Sequence, residues 1–416
     1  MDNPDKFFRE SHYNIVRVLL SLSGLWPFDS KATRYAIYCG YLLVAGSGFT
    51  FQVMGMLEVR SDIAEVIDFA PFGIHITLIA TKAACIACTL PKVKILVMKM
   101  KEHWTSPKTE EEATILRAYA TYGQKFGYVY TVILFGHSTL YLIESLVGKL
   151  TYVESNVETN GTIILETNGT SETLDVPVPV GLPLRVNYMV DVDTYYIPIY
   201  IHTVLAEMVY SLLMCAVDVL YLTSVQYYCG LLAALRCIME NAHNLKDGVD
   251  DLLEHVTKNG KSYSIVSYSI RRHTEAIQYI EILESLYRLP LLLHMGCDML
   301  MISILGFQAL VNIDDPNRFS QNCVYLSETL LNMFFENWQG QKIIDSNEKL
   351  YHSIYNMKWY EMSLAAKKLV ILIMLRSLRP MQITAGKFIV MSYENFSAVI
   401  RMSSSYFMLL RSTQTV

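Results

Sequence analysis

Seven stretches of this 416-residue chain are predominantly apolar: residues 35–57, 69–90, 127–148, 196–225, 289–311, 322–338 and 388–410. An α-helix rises about 1.5 Å per residue, so ~20 apolar residues cross the ~30 Å of bilayer hydrocarbon. In that medium a helix satisfies all of its own backbone hydrogen bonds, which an open strand cannot do. The pattern therefore predicts an all-α polytopic membrane protein with seven transmembrane helices. The sixth stretch is the shortest and carries Glu328 and Glu336. A further run, 369–375, is too short to cross. Flanked by Lys367, Lys368, Arg376 and Arg379, it reads as a buried cytoplasmic helix. Residues 1–34 alternate polar and apolar with no legible cleavable leader, so the first long run is expected to act as an uncleaved anchor.

Composition fits this reading. Hydrophobic residues make up 52% of the chain and charged residues 18%, below the roughly one quarter of soluble domains. The net charge of −5 and the lack of any basic block argue against a nucleic-acid partner.

The basic residues partition across the seven crossings. Residues 1–34 and the joins after the second, fourth and sixth stretches hold 27 Lys and Arg; the other joins and the C-terminal tail hold 5 (Arg60, Lys149, Arg185, Arg318 and Arg411). The positive-inside rule then predicts a cytoplasmic N-terminus and an extracellular C-terminus. Two sequons, at Asn160 and Asn168, fall in the 149–195 join, which the same rule places outside as a glycosylated extracellular loop. A third, at Asn395, lies within the last stretch, out of reach of glycosylation. Segments 226–288 and 339–387 keep helical patterning but become amphipathic. They are expected to project inward as cytoplasmic helices that bury their apolar faces against one another or against other subunits.

No catalytic signature is present: no HExxH, Walker loop, GxSxG or GxGxxG, so an enzyme is not expected and no cofactor is implied. Cys85 and Cys88 spell CxxC without a second pair or a His cluster, which fits small hydrophobes in a helix rather than a metal site. Polar and aromatic side chains gather in the outer halves of several stretches. Phe72, His75, His137, Tyr141, Tyr196, His202, Met299, Ser303 and Tyr325 are therefore candidates for a small-molecule pocket, with simple packing as the alternative for each His. Lys82, Asp218, Asp298, Glu328, Glu394 and Arg401 are ionisable residues within the apolar stretches, where they either pair inside the bundle or line an ion path. For Lys82 and Asp218 pairing is the preferred reading. Met402, Ser405, Tyr406, Leu409 and Ser412 (or Thr413) follow three- and four-residue spacing on the last helix. Their polar middle and apolar constriction suit a pore on a symmetry axis, where a hydrophobic ring gates by dewetting. The alternative is that the small serines merely allow close helix packing.

The tail RPMQITAGKFIVMSYENFSAVIRMSSSYFMLLRS (379–412) resembles the last helix of the insect odorant receptors, and NWQGQKIIDSNEKLYHSIYNMKWYEM (337–362) resembles that family's sixth-helix exit. The resemblance implies an odorant-gated, non-selective cation channel in which a tuning subunit joins the odorant co-receptor in tetramers. It further implies a last helix lining the pore, a cytoplasmic helical anchor, and a volatile hydrophobic odorant bound among the outer helices. The implied setting is the lipid of the plasma membrane in an olfactory neuron dendrite. By position, Leu409 matches the family's hydrophobic gate, Ser412 a pore-side position occupied by Gln in the co-receptor, and Tyr325 a pocket aromatic. The chain lacks the co-receptor's long insertion and Gln-containing ending, which points to a ligand-specific subunit. A gustatory receptor of the same superfamily is disfavoured because the ending reads SYFMLLRS rather than a TY…QF pattern. A G-protein-coupled receptor is disfavoured by the charge-derived orientation and by a 150–193 loop without cysteine.

Overall fold

The structure, a computed structural model, describes residues 4–58, 60–61, 63–106, 108–159, 187–192, 194–241 and 258–414. The sequons at Asn160 and Asn168 lie outside the described residues. In chain order the helices are α1 (Pro4–Glu10), α2 (Asn14–Leu22), α3 (Lys31–Glu58), α4 (Ile63–Cys88), α5 (Leu90–Thr105), α6 (Glu110–Thr159), α7 (Tyr196–Asn241), α8 (Lys258–Val311), α9 (Pro316–Asn356), α10 (Leu364–Ser377) and α11 (Tyr393–Gln414). A two-stranded antiparallel hairpin, β1 (Thr384–Ala385) and β2 (Ile389–Val390), precedes α11.

Among the described residues, five helical segments are both long and apolar enough to cross a membrane: Lys31–Glu58, Val66–Cys88, Glu110–Val147, Tyr196–Glu240 and Ser262–Val311. The protein is thus a multi-pass membrane protein. α9 and α11 contain the sixth apolar stretch and most of the seventh; they carry more polar residues than those five, and both pack on helix α8.

Several helices run well past the apolar stretches. α6, α7, α8 and α9 extend for 50, 46, 54 and 41 residues. Their extensions pack together: the Tyr227 and Tyr279 rings lie 5.0 Å apart, Gln226 Nε2 donates to Gln339 Oε1 at 2.8 Å, and Tyr228 Oη donates to Asn347 Oδ1 at 3.2 Å. Ile343, Leu350 and Ile354 bury one stripe of α9 in this core. The 369–375 run is helical, as α10, but only half buried. Ala366, Val370 and Ile373 face the core, whereas Leu364, Ile371, Leu372 and Leu375 are exposed.

Residues 4–34 contribute to the core. Phe8, Tyr13, Trp26, Leu20 and Leu25 are buried, Trp104 Nε1 donates to Tyr13 Oη at 3.0 Å, and Asp5 pairs with Arg17 at 2.7 Å.

Two prolines shape the helices. Pro71 within α4 has no N–H to give to the Ile67 carbonyl. That oxygen instead accepts from Gln308 Nε2 of α8 at 2.9 Å, which ties the two helices together. Pro91 stands at the first turn of α5, where a missing N–H costs least, and the chain bends at Thr89 between α4 and α5.

The 388–410 stretch does not begin as helix. Residues 384–390 form the hairpin, with Gly386 at φ 65° and Lys387 at φ 74° in its turn. Positive φ suits Gly and resists continuation of a right-handed helix, so α11 starts only at Tyr393. The hairpin docks on α8 through Gly386 N–H to Arg288 O (2.9 Å) and Thr384 Oγ1 to Glu284 Oε1 (2.6 Å). A Cβ on Gly340 would collide with the Met391 backbone, so this glycine lets α9 approach the segment entering α11.

Candidate functional site

Four helices line a narrow, partly open cleft, whose roughly 420 Å³ of atom-free space includes the space outside its mouth. α4 contributes Phe72, His75 and Ile76; α6, Ser138 and Tyr141; α7, Glu207; α9, Val324, Tyr325 and Glu328. Within each helix these positions fall in about one turn, and the three- and four-residue pairs (Phe72 with His75 and Ile76, Ser138 with Tyr141, Tyr325 with Glu328) share a face. The rings form a continuous wall. Phe72 stacks on Tyr325 with centroids 5.2 Å apart, Tyr141 lies 5.7 Å from Phe72, and His75 meets Tyr325 edge-on at 5.5 Å. Tyr325 is buried and its hydroxyl points to the Pro71 carbonyl at 3.4 Å.

A second cleft of about 300 Å³ adjoins the first and shares Glu328. His137 lines it together with Tyr130, Asn332 and Phe335, and its Nε2 lies 3.4 Å from Ser327 Oγ.

The structure therefore brings Phe72, His75, Tyr141 and Tyr325 together and sets His137 next door. The remaining pocket candidates lie elsewhere. His202 is held between Ser47 Oγ (2.9 Å) and Tyr188 Oη (2.6 Å). Tyr196 stacks on Tyr200 at 5.8 Å beneath the Lys149 ammonium. Met299 and Ser303 form part of the seam between α8 and α11, where Ser303 Oγ donates to the Met299 carbonyl (2.7 Å) and the Ser403 carbonyl (3.2 Å). Tyr196 and His202 share helix α7 with the cleft residue Glu207 but stand away from it, whereas Met299 and Ser303 belong to α8, which does not line the cleft. Ser138 is not among the sequence candidates, and Glu207, which the sequence lets be placed in a site with His202, stands outside the nine pocket candidates. The available signal for Glu207 was a carboxylate inside a long apolar helix, a costly placement that marks a functional position.

Below Glu328 on α9, a buried ionic cluster joins five helices. Lys82 Nζ of α4, only 2% exposed, lies 2.6 Å from Asp218 Oδ1 of α7 and 2.9 Å from Glu336 Oε1 of α9. His294 Nδ1 of α8 meets the other Glu336 oxygen at 2.7 Å. Tyr130 Oη of α6 donates to Asp218 Oδ2 at 2.7 Å and reaches Asn332 Oδ1 at 3.1 Å. Lys82 and Asp218 thus pair inside the bundle. The next residue of α9 after Glu336 is Asn337, whose Oδ1 accepts from Asn395 Nδ2 of α11 at 2.9 Å and from the Ser392 N–H at 3.3 Å. A polar path along α9 therefore connects the cleft to the base of α11.

α11 is two-faced. Val399 and Ser403 are buried, and Phe407 reaches Gly306 of α8. Met402, Ser405, Tyr406, Leu409 and Ser412 all stand exposed on the other side, together with Glu394 and Arg401.

A family model described as 7tm Odorant receptor matches residues 62–404. Among curated proteins, the chain is 25% identical over 187 residues to odorant receptor 67a of Drosophila melanogaster, covering 45% of this chain and 43% of that one. It is 27% identical over 148 residues to the odorant receptor coreceptor of Anopheles gambiae, covering 35% of this chain and 31% of the relative. Each match thus spans less than half of the relative's length. Among solved structures, the olfactory receptor OR5 of Machilis hrabei in complex with eugenol superposes with a TM-score of 0.72 over 99% of this chain and all of that one. A second structure of the same receptor superposes with a TM-score of 0.69 over 95% of this chain and 96% of that one. At 14% and 15% sequence identity these likenesses establish a shared fold. By its match to the family model over most of its length, the chain belongs to the seven-transmembrane odorant receptor family.

Proposed function

We propose that this chain is a ligand-specific subunit of an odorant-gated, non-selective cation channel, assembled as a tetramer with the odorant co-receptor. In this reading the N-terminus is cytoplasmic, the C-terminus and the glycosylated Asn160 and Asn168 are extracellular, and the channel works in the plasma membrane of a sensory dendrite. The volatile sits in the aromatic cleft of Phe72, Tyr141 and Tyr325. Lipid covers the outer helices, and α7–α10 below the bilayer form the anchor that subunits share.

The observation that carries the reading is the division of α11. One face is spent on α8, while Met402, Ser405, Tyr406, Leu409 and Ser412 are left uncovered by the rest of the chain. A mostly polar stripe with one exposed leucine suits a water-filled axis shared by several copies better than it suits lipid. The path from Glu328 through Asn332, Glu336 and Asn337 to Asn395 supplies a physical connection between an occupied cleft and that helix.

The test is to express the chain with and without a co-receptor, apply a panel of volatiles and record membrane current. A ligand-evoked cation current that persists under G-protein blockade is expected. Absence of current from protein shown to reach the cell surface with its partner would overturn the proposal.

A further inference from the structure

Two carboxylates, Glu207 of α7 and Glu328 of α9, line the aromatic cleft, and each is partly exposed. Among the described residues neither makes an ion pair. The nearby buried cation, Lys82, is committed to Asp218 and Glu336. The polar support at the wall is slight: Ser138 lines it beside Glu207 and pairs its hydroxyl with Ser211 Oγ at 2.7 Å. The two acids interact electrostatically with each other. A pocket built for an ester or hydrocarbon has no use for two acids at this depth, where an uncompensated carboxylate is costly. Around them stand the faces and edges of Phe72, Tyr141 and Tyr325, whose π-systems attract cations. The His75 imidazole, the basic group in this wall, meets Tyr325 edge-on and pairs with neither acid.

Aromatic faces together with unpaired carboxylates are the arrangement that recognises ammonium groups. The geometry points to a small amine, protonated to an ammonium and carrying an apolar or aromatic body, as the ligand class of this cleft. Its head would lie between Glu207 and Glu328 while its body covers Phe72 and Tyr325. Charge-assisted hydrogen bonds from the ammonium then satisfy the acids, and the rings supply the contact area. This inference rests on the cleft being the ligand site of the proposed channel and deepens that assignment by naming the chemistry.

The experiment compares three probes that share a phenylethyl body on the purified full-length chain in lipid nanodiscs, by direct binding, and on the chain co-expressed with its co-receptor, by current. The probes are 2-phenylethylamine, its permanently charged N,N,N-trimethyl derivative, and neutral 2-phenylethanol. The amine is expected to bind about tenfold more tightly than the alcohol. Glu207→Gln and Glu328→Gln, near-isosteric changes, should each lower amine affinity about tenfold and move 2-phenylethanol by less than about threefold. Equal or tighter binding of the alcohol, or amine affinity untouched in the double variant, would overturn the ligand class. Should the variants fail to fold, the three-probe ranking on the unaltered chain still decides. Neutral volatiles that gate current while no amine binds would sink the ligand class and leave the channel standing. Glu-dependent amine binding without any evoked current would do the reverse.

Discussion

The side-chain oxygen of Asn337 on α9 accepts a hydrogen bond from the side-chain amide of Asn395 on α11 at 2.9 Å. The Asn337 amide nitrogen is in turn spent on the Met333 carbonyl at 2.9 Å, so both ends of a fully buried side chain are engaged. Asn337 lies on the helix that also carries Tyr325 and Glu328 of the cleft, and Asn395 begins the helix with the exposed stripe. Replacing Asn337 by Leu strands the Ser392 N–H and the Asn395 amide, a cost of about 1–3 kcal/mol. The expected outcome is a smaller maximal evoked current with ligand affinity changed less than about twofold, read from paired binding and concentration–response curves. An equal loss in both would make Asn337 a packing residue only.

Among the described residues, Lys82 is the ammonium between Asp218 and Glu336, with the His294 imidazole on the other Glu336 oxygen, and removing Lys82 leaves two buried carboxylates undercompensated. Lys82→Met should therefore destabilise the chain by about 3–5 kcal/mol, seen as a fall in melting temperature and in surface expression. Adding Asp218→Asn and Glu336→Gln to Lys82→Met should recover most of that loss. A Lys82→Met protein as stable as the parent would show the cluster to be dispensable.

Leu409 is 59% exposed and its side chain supports little within the chain. Leu409→Ser should leave thermal stability within about 0.5 kcal/mol of the parent. If Leu409 forms the proposed constriction, the same change should raise basal, ligand-free current by wetting it. Unaltered leak and permeation in protein shown to reach the cell surface with its co-receptor would remove Leu409 from the proposed gate.

Burial, reinforced by the nearby Arg376 guanidinium, pushes the His273 imidazole in the α8 extension down to about 4. The unfolded chain titrates this group near 6.5, so below that pH it gains a proton that the folded protein refuses. The stabilising difference is intact above about pH 6.5, declines as pH falls toward 4, and levels off below, for a loss of about 3 kcal/mol. Denaturation midpoints between about pH 4 and 7.5 should show this slope in the parent and a shallower one in His273→Leu. Identical slopes would mean that His273 is not what titrates.

Much of the architecture was legible because hydropathy depends on composition within a single segment. The apolar stretches fall in long helices, and the amphipathic patterning of 226–241 and 339–356 marked where α7 and α9 continue past them. The Met402–Ser412 stripe could be read from spacing because all its members share one helix. The hairpin at 384–390 could not, since Phe388, Ile389 and Val390 are as apolar as the helix that follows and only the positive φ of Gly386 and Lys387 separates them.

The cleft was half legible. Sequence places a residue on a helix and at a depth, but the rotation of each helix about its axis is set by what it packs against. That rotation turned Phe72, His75, Tyr141 and Tyr325 inward, sent Met299 and Ser303 to the α11 seam, and left His202 beside Ser47 and Tyr188. The ionic cluster is the extreme case: Lys82 and Glu336 are 254 positions apart in the chain and meet only because five helices converge there. Sequence alone determined that this protein spans a membrane as helices, because the cost of burying polar groups in lipid acts locally. Which polar groups face one another was decided by tertiary packing, because that depends on surfaces no single segment contains.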